Sequence, residues 1–213
     1  MKISNQMNWR YAVKEFDAEK SISEDKINEL KKVFQLTPSS FGLQPFRLKI
    51  ISERKLKDEL LKFTYGQTQF CNASHILIVS VISQIDEPYI RKFFDLIKDD
   101  DPIQSKKSKG YQQFVVNYFS TMTVDEKKAW AINQAYLAMG VLISACSWEA
   151  IDSCPMEGFN KKGFDDILGL NEKGMESCLA LPIGIRSSQD DRALESKIRF
   201  PFSELFDEAP QQI

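Results

Sequence analysis

The sequence contains one histidine, His75, and four cysteines, and these limit the chemistry that it can support. A single histidine excludes a histidine-rich metal site, and it excludes a serine or cysteine nucleophile whose general base is a second histidine. The cysteines show no CxxC spacing and are typical of free buried thiols, which favours a reducing compartment. The sequence has no GxGxxG and no GxxxxGK(S/T), so we expect neither a Rossmann dinucleotide site nor a P-loop.

Basic residues beside turn-forming segments are the remaining candidates for a site. Arg10 and Lys14 lie near the beginning of the chain, and Lys197 and Arg199 lie near its end. Taken singly, each is more often a solvated surface cation than part of a site. The net charge of -2, from 28 Lys and Arg against 30 Asp and Glu, argues against a polyanion-binding surface that covers the whole protein, so a nucleic-acid role would need a local patch. We therefore expect no nucleic-acid partner.

The length of 213 residues is enough to bury a sizeable core, and no repeat or linker divides the chain. We predict a single domain over residues 1–213. The chain begins without an apolar segment, so we expect no signal peptide and a cytoplasmic location. Residues 129–148 carry no formal charge, but Asn133 and Gln134 are polar and the larger apolar residues recur at helical spacing. We interpret this stretch as a central core helix and expect no membrane association.

The elements that must position these residues alternate along the chain. The patterns predict a short helix from Ser4 or Asn5, extended chain at Lys14–Phe16, and helices after Ser23, after Ser52, within Asp86–Thr121 and from the Thr123/Glu126 capping box to Ile151. They predict strands at Phe46–Ile51, Ile76–Ile82 and Cys178–Arg186. We expect a mobile excursion at residues 99–109. Three or four strands among helices predict an α/β or α+β sandwich.

Four motifs resemble those of the flavin-dependent nitroreductase family in order and spacing. They are Arg10–Phe16 (RYAVKEF), Pro38–Phe46 (PSSFGLQPF), Pro155–Phe159 (PMEGF) and Lys197–Pro201 (KIRFP). The segments at Ala73–His75 and Leu181–Gly184 agree as well, so the resemblance covers almost the whole chain. The sequence is similar in particular to the oxygen-insensitive nitroreductase and dihydropteridine reductase group.

This resemblance implies a nitroreductase-like fold, with a mixed central sheet sandwiched by helices. It also implies an intertwined homodimer with FMN at the interface. The tail from about residue 187 is explained if it wraps the partner subunit. The uncharged helix at 129–148 is explained if its own chain and a partner cover it.

By the same resemblance, Arg10, Lys197 and Arg199 hold the FMN phosphate, with Tyr11 and Ala12 beside it. A dianion needs convergent donors, and each charge-assisted hydrogen bond contributes about 1.5–3 kcal/mol. Ala12 replaces the family's usual serine, so one hydroxyl contact is lost and we expect a modest loss of affinity.

The resemblance places Lys14 near the N1 and O2 edge of the flavin, where negative charge accumulates on reduction. At about 4 Å and an effective dielectric near 20, a cation favours that charge by roughly 4 kcal/mol, or roughly 90 mV. Glu157 and Gly158 are implied at the N5 face, where the Gly158 amide can donate to N5. Pro155 and Met156 are expected to pack on the ring.

The resemblance also implies contacts from three further regions. Residues of the loop at Pro38, Ser39, Ser40 and Gly42 are expected to reach the flavin from the second subunit. Either Gln67 or Gln69 is expected at the pyrimidine edge, while Gln134 either faces the flavin region or is a satisfied buried amide. One aromatic residue is expected to cover the substrate pocket, from the set Tyr111, Phe114, Tyr118 and Phe119. His75 is expected to cap or pack at the start of its strand.

The function implied is an FMN-dependent NAD(P)H oxidoreductase with a ping-pong mechanism. NAD(P)H reduces flavin N5 and leaves, and a small electron-poor aromatic acceptor then takes the hydride from the same face. Nitroaromatics, quinones or pteridines are the expected acceptors. Two alternatives stay open: a family member with a dedicated metabolite or oxygen-linked reaction, and a flavin-binding protein without turnover.

Overall fold

The structure is a computed structural model that describes residues 2–207 except residue 101, without the side chains of residues 97–108. Within these limits the helices are α1 Ile3–Trp9, α2 Glu24–Gln35, α3 Arg54–Leu61, α4 Gln69–Asn72, α5 Glu87–Asp100, α6 Pro102–Ser120, α7 Val124–Trp148, α8 Lys161–Leu168 and α9 Phe202–Leu205. The strands are β1 Phe46–Ile51, β2 His75–Ile82, β3 Asp152–Ser153 and β4 Met175–Gly184. Short 3-10 turns lie at Ser40–Gly42, Asn171–Lys173 and Asp191–Leu194.

The strands form one sheet in the order β1-β2-β4-β3, and each neighbouring pair is antiparallel. In the described part of the chain, parallel pairing is limited to an isolated bridge between Ala12 and Ser153. β2 is central and its apolar side chains alternate between the two faces. Leu77 and Val79 enter one core cluster, and Ile76 and Ile78 enter the other.

Helices cover both faces, which confirms the predicted sandwich. The first core cluster contains side chains of α2, α5, α6 and α7, and the second contains side chains of α3, α4 and α8. The sheet therefore separates the molecule into two sides. Arg10, Tyr11 and Ala12 follow α1 on the side of the second cluster, where Tyr11 and Ala12 pack against it.

α7 begins and ends at identifiable caps. Its capping box is confirmed, because Glu126 N donates to Thr123 Oγ1 at 3.2 Å and Thr123 N donates to Glu126 Oε2 at 2.7 Å. The helix ends at Trp148 and not at Ile151. Ala150 takes a positive φ of 53°, and Ile151 N donates back to Cys146 O at 2.8 Å, which forms a Schellman-type end.

α7 also satisfies the length and apolarity of a membrane span, the one helix among the described residues that does so. In this structure it packs against β2, β4 and α2, and it buries Ala131, Ala135 and Leu142. Other apolar side chains of α7 stay 43–73% exposed, namely Val124, Tyr136, Leu137 and Trp148. This helix is therefore the core helix that the sequence predicts, with one face left uncovered by its own chain.

Several predicted boundaries are shifted. β1 agrees, β2 begins at His75, and β4 covers Met175–Gly184 where Cys178–Arg186 was predicted. The predicted cap Ser52 is wrong, because Glu53 O accepts the first helical bond of α3 from Lys57 N at 3.1 Å. Most of the predicted mobile excursion at residues 99–109 lies outside the described side chains, and residues 208–213 of the tail lie outside the described chain.

Candidate functional site

Residues from the two ends of the chain line one surface cavity of about 330 Å³, which we call the cation pocket. Its lining contains Arg10, Tyr11, Ala12, Arg192, Glu195, Ser196, Lys197, Ile198 and Arg199. All five residues that were predicted around a phosphate are among them. The fold thus brings together residues that are almost the whole chain length apart.

The end of α1 explains how the two segments meet. Lys197 Nζ donates to Met7 O at 2.5 Å, to Asn8 O at 3.0 Å and to Arg10 O. These carbonyls belong to the last turn of α1 and to its C-cap, where backbone acceptors are unsatisfied and the helix dipole is negative. The three N–H groups of Lys197 are therefore used within the chain, and Lys197 contributes charge and position to the pocket.

Arg10, unlike Lys197, has a donor that is not used within the described chain. Its Nε is buried and finds no acceptor among the residues that the structure describes. Burial, and after it the charge of Arg199, lowers the pKa of Arg10, and burial and the two arginines lower the pKa of Lys197. An unpaired buried donor costs about 1–3 kcal/mol. Arg10, Lys197 and Arg199 are therefore neighbouring cations that repel one another, and Arg10 also carries a buried donor without a partner among the described residues.

Arg186 and Asp190, which the sequence analysis did not single out, contact the aromatic residues beside the pocket. The Arg186 guanidinium carbon lies 4.5 Å from the centre of the Trp9 ring and 4.6 Å from that of Tyr11, and Arg186 Nε donates to Asp152 Oδ1 at 2.8 Å. Tyr11 Oη donates to Asp190 Oδ2 at 3.1 Å. Burial raises the pKa of Tyr11, the Arg186 charge opposes this rise, and the Asp190 carboxylate adds to it, so that the pKa is about 12. The hydroxyl is therefore neutral at physiological pH.

A second cluster surrounds Lys14. The Lys14 Nζ lies 3.6 Å from Cys154 Sγ, and Gln69 Nε2 lies 3.9 Å from the same sulfur. Gln69 Nε2 also donates to Gln67 Oε1 at 3.0 Å, and Gln67 Nε2 donates to Gly158 O at 2.6 Å. Gln69 is buried and Gln67 is half-buried. Both glutamines thus lie at the site, with Gln69 behind Gln67.

The segment 154–158 extends the sheet beside β4. Cys154 N donates to Pro182 O at 3.0 Å, and Met156 N donates to Ala180 O at 2.8 Å. The side chain of Met156 is part of the second core cluster, whereas Pro155, Glu157 and Gly158 are exposed. The Met156 side chain is thus covered by the core, and in this structure it exposes no surface on which a flavin ring could pack as predicted.

Gly158 has room around it. A Cβ built at Gly158 would meet a single atom within 4 Å, Gln67 Nε2 at 3.9 Å. Its amide N–H has no acceptor in the described part of the chain. Burial, and after it the neighbouring Glu157 carboxylate, raises the pKa of Tyr136 of α7 to about 12. Gly158 therefore presents an open face with a free donor.

The loop containing Pro38, Ser39, Ser40 and Gly42 lies on the other side of the sheet. Gln134 Oε1 of α7 accepts from Ser40 N at 2.8 Å, and Gln134 Nε2 donates to Trp130 O at 3.2 Å, so this amide is satisfied inside the chain. Gly42 has a φ of +73°, and a Cβ there would lie 3.0 Å from the Phe93 ring. In the described part of the chain, no hydrogen bond or ion pair joins this loop to the cation pocket.

Solvent exposure distinguishes the aromatic residues that could cover a substrate pocket from those that belong to the core. Phe119 is 1% exposed and belongs to the core, which leaves Tyr111, Phe114 and Tyr118, 43–55% exposed, as possible covers of a pocket. His75 is buried, and its Nδ1 lies 2.8 Å from Ser74 Oγ. Burial, and after it the charge of Lys57, lowers the pKa of His75. This is the packing role expected for it at the start of β2.

Comparisons with known proteins agree with this geometry. The model of the nitroreductase family matches residues 7–185. The chain is 35% identical over 166 residues to a protein named as an NAD(P)H nitroreductase from Staphylococcus saprophyticus, with 74% of each chain covered. It is 27% identical over 207 residues to an oxygen-insensitive NAD(P)H nitroreductase from Enterobacter cloacae, covering 93% of this chain and 95% of that one.

Solved structures agree in fold. A structure described as a nitroreductase from Bacillus subtilis matches with a TM-score of 0.86 at 21% identity, covering 97% of this chain and 98% of that one. Another, described as a nitroreductase in complex with FMN from Exiguobacterium sibiricum, matches with a TM-score of 0.82 at 17% identity, covering 98% of each. At these identities the likeness establishes the α+β fold.

Proposed function

The chain belongs to the nitroreductase family, and from that premise we propose that it is an FMN-dependent oxidoreductase that takes its electrons from NAD(P)H. The observation that carries the proposal is the buried Arg10 Nε, which has no partner among the described residues and belongs to a pocket that Lys197 and Arg199 also line. The relatives named as NAD(P)H nitroreductases and the FMN complex of a structural neighbour support this assignment.

The donor set of the cation pocket fits a phosphate group. A phosphate carries close to two negative charges and three strong acceptor oxygens. Arg10 offers the buried free donor and Arg199 an exposed guanidinium, while the charge of Lys197 is held in place by α1. Burial, and after it the repulsion between neighbouring cations, lowers the pKa of Arg10 and of Lys197, and a bound dianion would offset both effects. We propose that Arg10 and Arg199 donate to the phosphate and that Lys197 contributes its charge.

When bound, FMN supplies two-electron transfer from NAD(P)H to a small electron-poor aromatic acceptor, a nitroaromatic, quinone or pteridine, in a ping-pong sequence. The protein residues position and bias this chemistry. Lys14 is exposed beside Cys154, and we propose that its ammonium stabilises negative charge at the N1 and O2 edge. Gln67, held by Gln69, is the glutamine that we propose at the pyrimidine edge.

Gly158 supplies the proposed donor at the N5 edge. Its free amide N–H and the space around it support this role, since a ligand can approach the backbone there without meeting a side chain. Gln67 fixes the Gly158 carbonyl at 2.6 Å and so orients the peptide on that side. Pro155 and Glu157 flank the same open face.

We propose that the active form is a homodimer with a site shared between chains. Apolar side chains of the tail are 56–87% exposed, namely Leu194, Ile198, Phe200, Phe202, Leu205 and Phe206. Such a surface supports an interface with a partner. A groove of about 600 Å³ at the edge strand β1, lined by Phe34, Leu48 and Ile50 among others, offers an apolar place for the partner's tail. The four buried free thiols support a reducing, cytoplasmic location.

The absorbance spectrum of the purified protein tests the proposed function. We expect a yellow protein with about one FMN per chain that bleaches when NADH or NADPH is added without oxygen, and recovers on addition of an acceptor. A yellow protein that does not bleach would indicate flavin binding without turnover. A colourless protein that takes up no added FMN would contradict the proposal.

A further inference from the structure

Asp190 joins the segments that form the two walls of the cation pocket. Its side chain is 7% exposed. The Oδ2 atom accepts hydrogen bonds from Lys14 N at 2.9 Å, Glu15 N at 3.3 Å and Tyr11 Oη at 3.1 Å. The Oδ1 atom accepts from Arg192 N at 3.2 Å. One buried carboxylate thus receives four donors from two distant parts of the chain.

The two groups of donors belong to opposite walls. Tyr11 and Lys14 belong to the segment that also carries Arg10 and Ala12. Arg192 begins the other wall, because Asp190 caps the 3-10 turn Asp191–Leu194, from which the chain continues to Lys197 and Arg199. Lys197 then returns to the end of α1. The second wall is therefore fixed at two points, by Asp190 at its beginning and by Lys197 near its end.

The carboxylate is suited to this role by its charge. Burial raises the pKa of Asp190, but the amides of Lys14 and Glu15 and the hydroxyl of Tyr11 outweigh burial and hold the pKa below its ordinary value. Hydrogen bonds onto a charged acceptor are roughly twice as strong as those between neutral groups. The donors include the backbone amide of Lys14 itself, so the bond fixes the point from which the Lys14 side chain extends.

We propose that Asp190 is a positioning residue for the flavin: it aligns the Arg10–Lys14 segment with the Lys197–Arg199 segment before FMN binds. The inference rests on the proposed function. A preformed pocket binds more tightly than one that must be ordered on binding. Loss of the carboxylate therefore affects the phosphate contacts and the placement of Lys14 together, although Asp190 touches neither the phosphate nor the ring.

The test compares Asp190→Asn with Asp191→Asn in the full-length protein. Asp191 is the next residue, is exposed, and loses the same charge on substitution. In Asp190→Asn one of the two acceptor oxygens becomes an NH₂ group that cannot accept, so one wall loses its anchor. Folded apoprotein is titrated to give the ratio of the dissociation constants for FMN and for riboflavin, which lacks the phosphate. The same protein reconstituted with FMN gives the midpoint potential of the bound flavin.

For Asp190→Asn we expect FMN binding at least tenfold weaker, a smaller loss for riboflavin, and a lower midpoint potential because Lys14 is no longer held. Asp191→Asn keeps both wild-type values. A folded Asp190→Asn protein with the wild-type ratio and potential overturns the inference, even if its melting temperature is lower. If Asp190→Asn does not fold, Asp190→Glu, which keeps the charge but displaces the carboxylate, is measured against the same criteria. Wild-type protein that binds neither flavin would overturn the proposed function itself.

Discussion

The cation pocket and the loop at Ser39–Gly42 are both assigned to the flavin by resemblance, but the fold treats them differently. The pocket is closed within one chain, where Lys197 binds the end of α1 and Asp190 binds the segment at Tyr11–Lys14. The loop lies on the side of the first core cluster, where Ser40 N donates to Gln134 Oε1 at 2.8 Å. Among the described residues of one chain, no hydrogen bond or ion pair joins these two regions, which we propose as the two halves of a shared site.

This difference indicates what each half requires. The positive charges of Arg10, Lys197 and Arg199 gather in the pocket, and the proposed phosphate would balance them within a geometry that its own chain supplies. The loop exposes Ser40, and nothing in the described part of its own chain uses that side chain. The proposed site, shared between two chains, satisfies both conditions. Substitutions in each half should separate their contributions to flavin binding.

The largest expected effect is electrostatic. In Lys14→Met the FMN midpoint potential should fall by roughly 90 mV, which corresponds to about 4 kcal/mol for a cation near the charge that develops on reduction. FMN affinity of the oxidised protein should change much less. Spectroelectrochemical titration measures the potential, with the exposed Lys20→Met as the control. An unchanged potential would show that Lys14 does not lie at the flavin.

Arg10→Ala should weaken FMN binding by about 100-fold, since a charge-assisted bond from a buried donor contributes up to about 3 kcal/mol. The riboflavin affinity should change little, because riboflavin has no phosphate. Titration of apoprotein by fluorescence quenching measures both. Arg54→Ala on the exposed face of α3 removes the same charge far from the pocket and should leave both affinities at wild type. Equal losses for FMN and riboflavin would argue against a phosphate at Arg10.

Arg199→Ala should weaken FMN binding by about tenfold, or about 1.4 kcal/mol. The effect is smaller than for Arg10 because Arg199 is exposed and its Nη1 already donates to Ile198 O at 2.5 Å. The same titration measures it. The assignment of Arg199 to the phosphate would be wrong if the bound FMN content and the affinity were both unchanged.

Gln134→Leu should have the smallest effect and a different signature. It removes the acceptor of Ser40 N, a loss of about 1 kcal/mol or roughly fivefold. Because the loop does not hold the phosphate, FMN and riboflavin should weaken by the same factor. A loss of affinity for FMN but not for riboflavin would show that Gln134 acts on the phosphate, and it would contradict the separation of the loop from the cation pocket. Asn133→Leu, exposed on the same helix, is the matched control.

Local signals in the sequence predict much of the fold. The capping box at Thr123 and Glu126 fixes the start of α7, and the apolar runs identify β1 and β2. α8 was missed although its signals are present: Asn160 caps it through Gly163 N, and Gly169 ends it in the left-handed region. The prediction that Ser52 caps α3 was wrong by one residue, because the chain stays extended through Glu53 and the helix begins at Arg54.

The sequence predicted only those site residues that belong to a family-like motif. Arg10, Lys197 and Arg199 share the cation pocket, as the resemblance implies. Asp190 and Arg186 were missed because their partners, Tyr11 and Trp9, lie at the other end of the chain, and no local pattern encodes such pairing. Similarly, spacing cannot decide whether Met156 faces the core or a ligand, because a strand turns successive side chains to opposite sides.

We propose that one chain's cation pocket is completed by the other chain's loop. Mixed dimers of an Arg10→Ala chain and a Ser40→Trp chain, isolated by two different affinity tags, test it directly. Ser40 is exposed, so tryptophan there blocks the partner's site without disturbing the core. Each variant alone should bind FMN poorly, whereas the mixed dimer should regain one tight site, formed by the intact pocket of one chain and the intact loop of the other. Mixed dimers without tight FMN binding, or chains that form no dimer, would contradict the account.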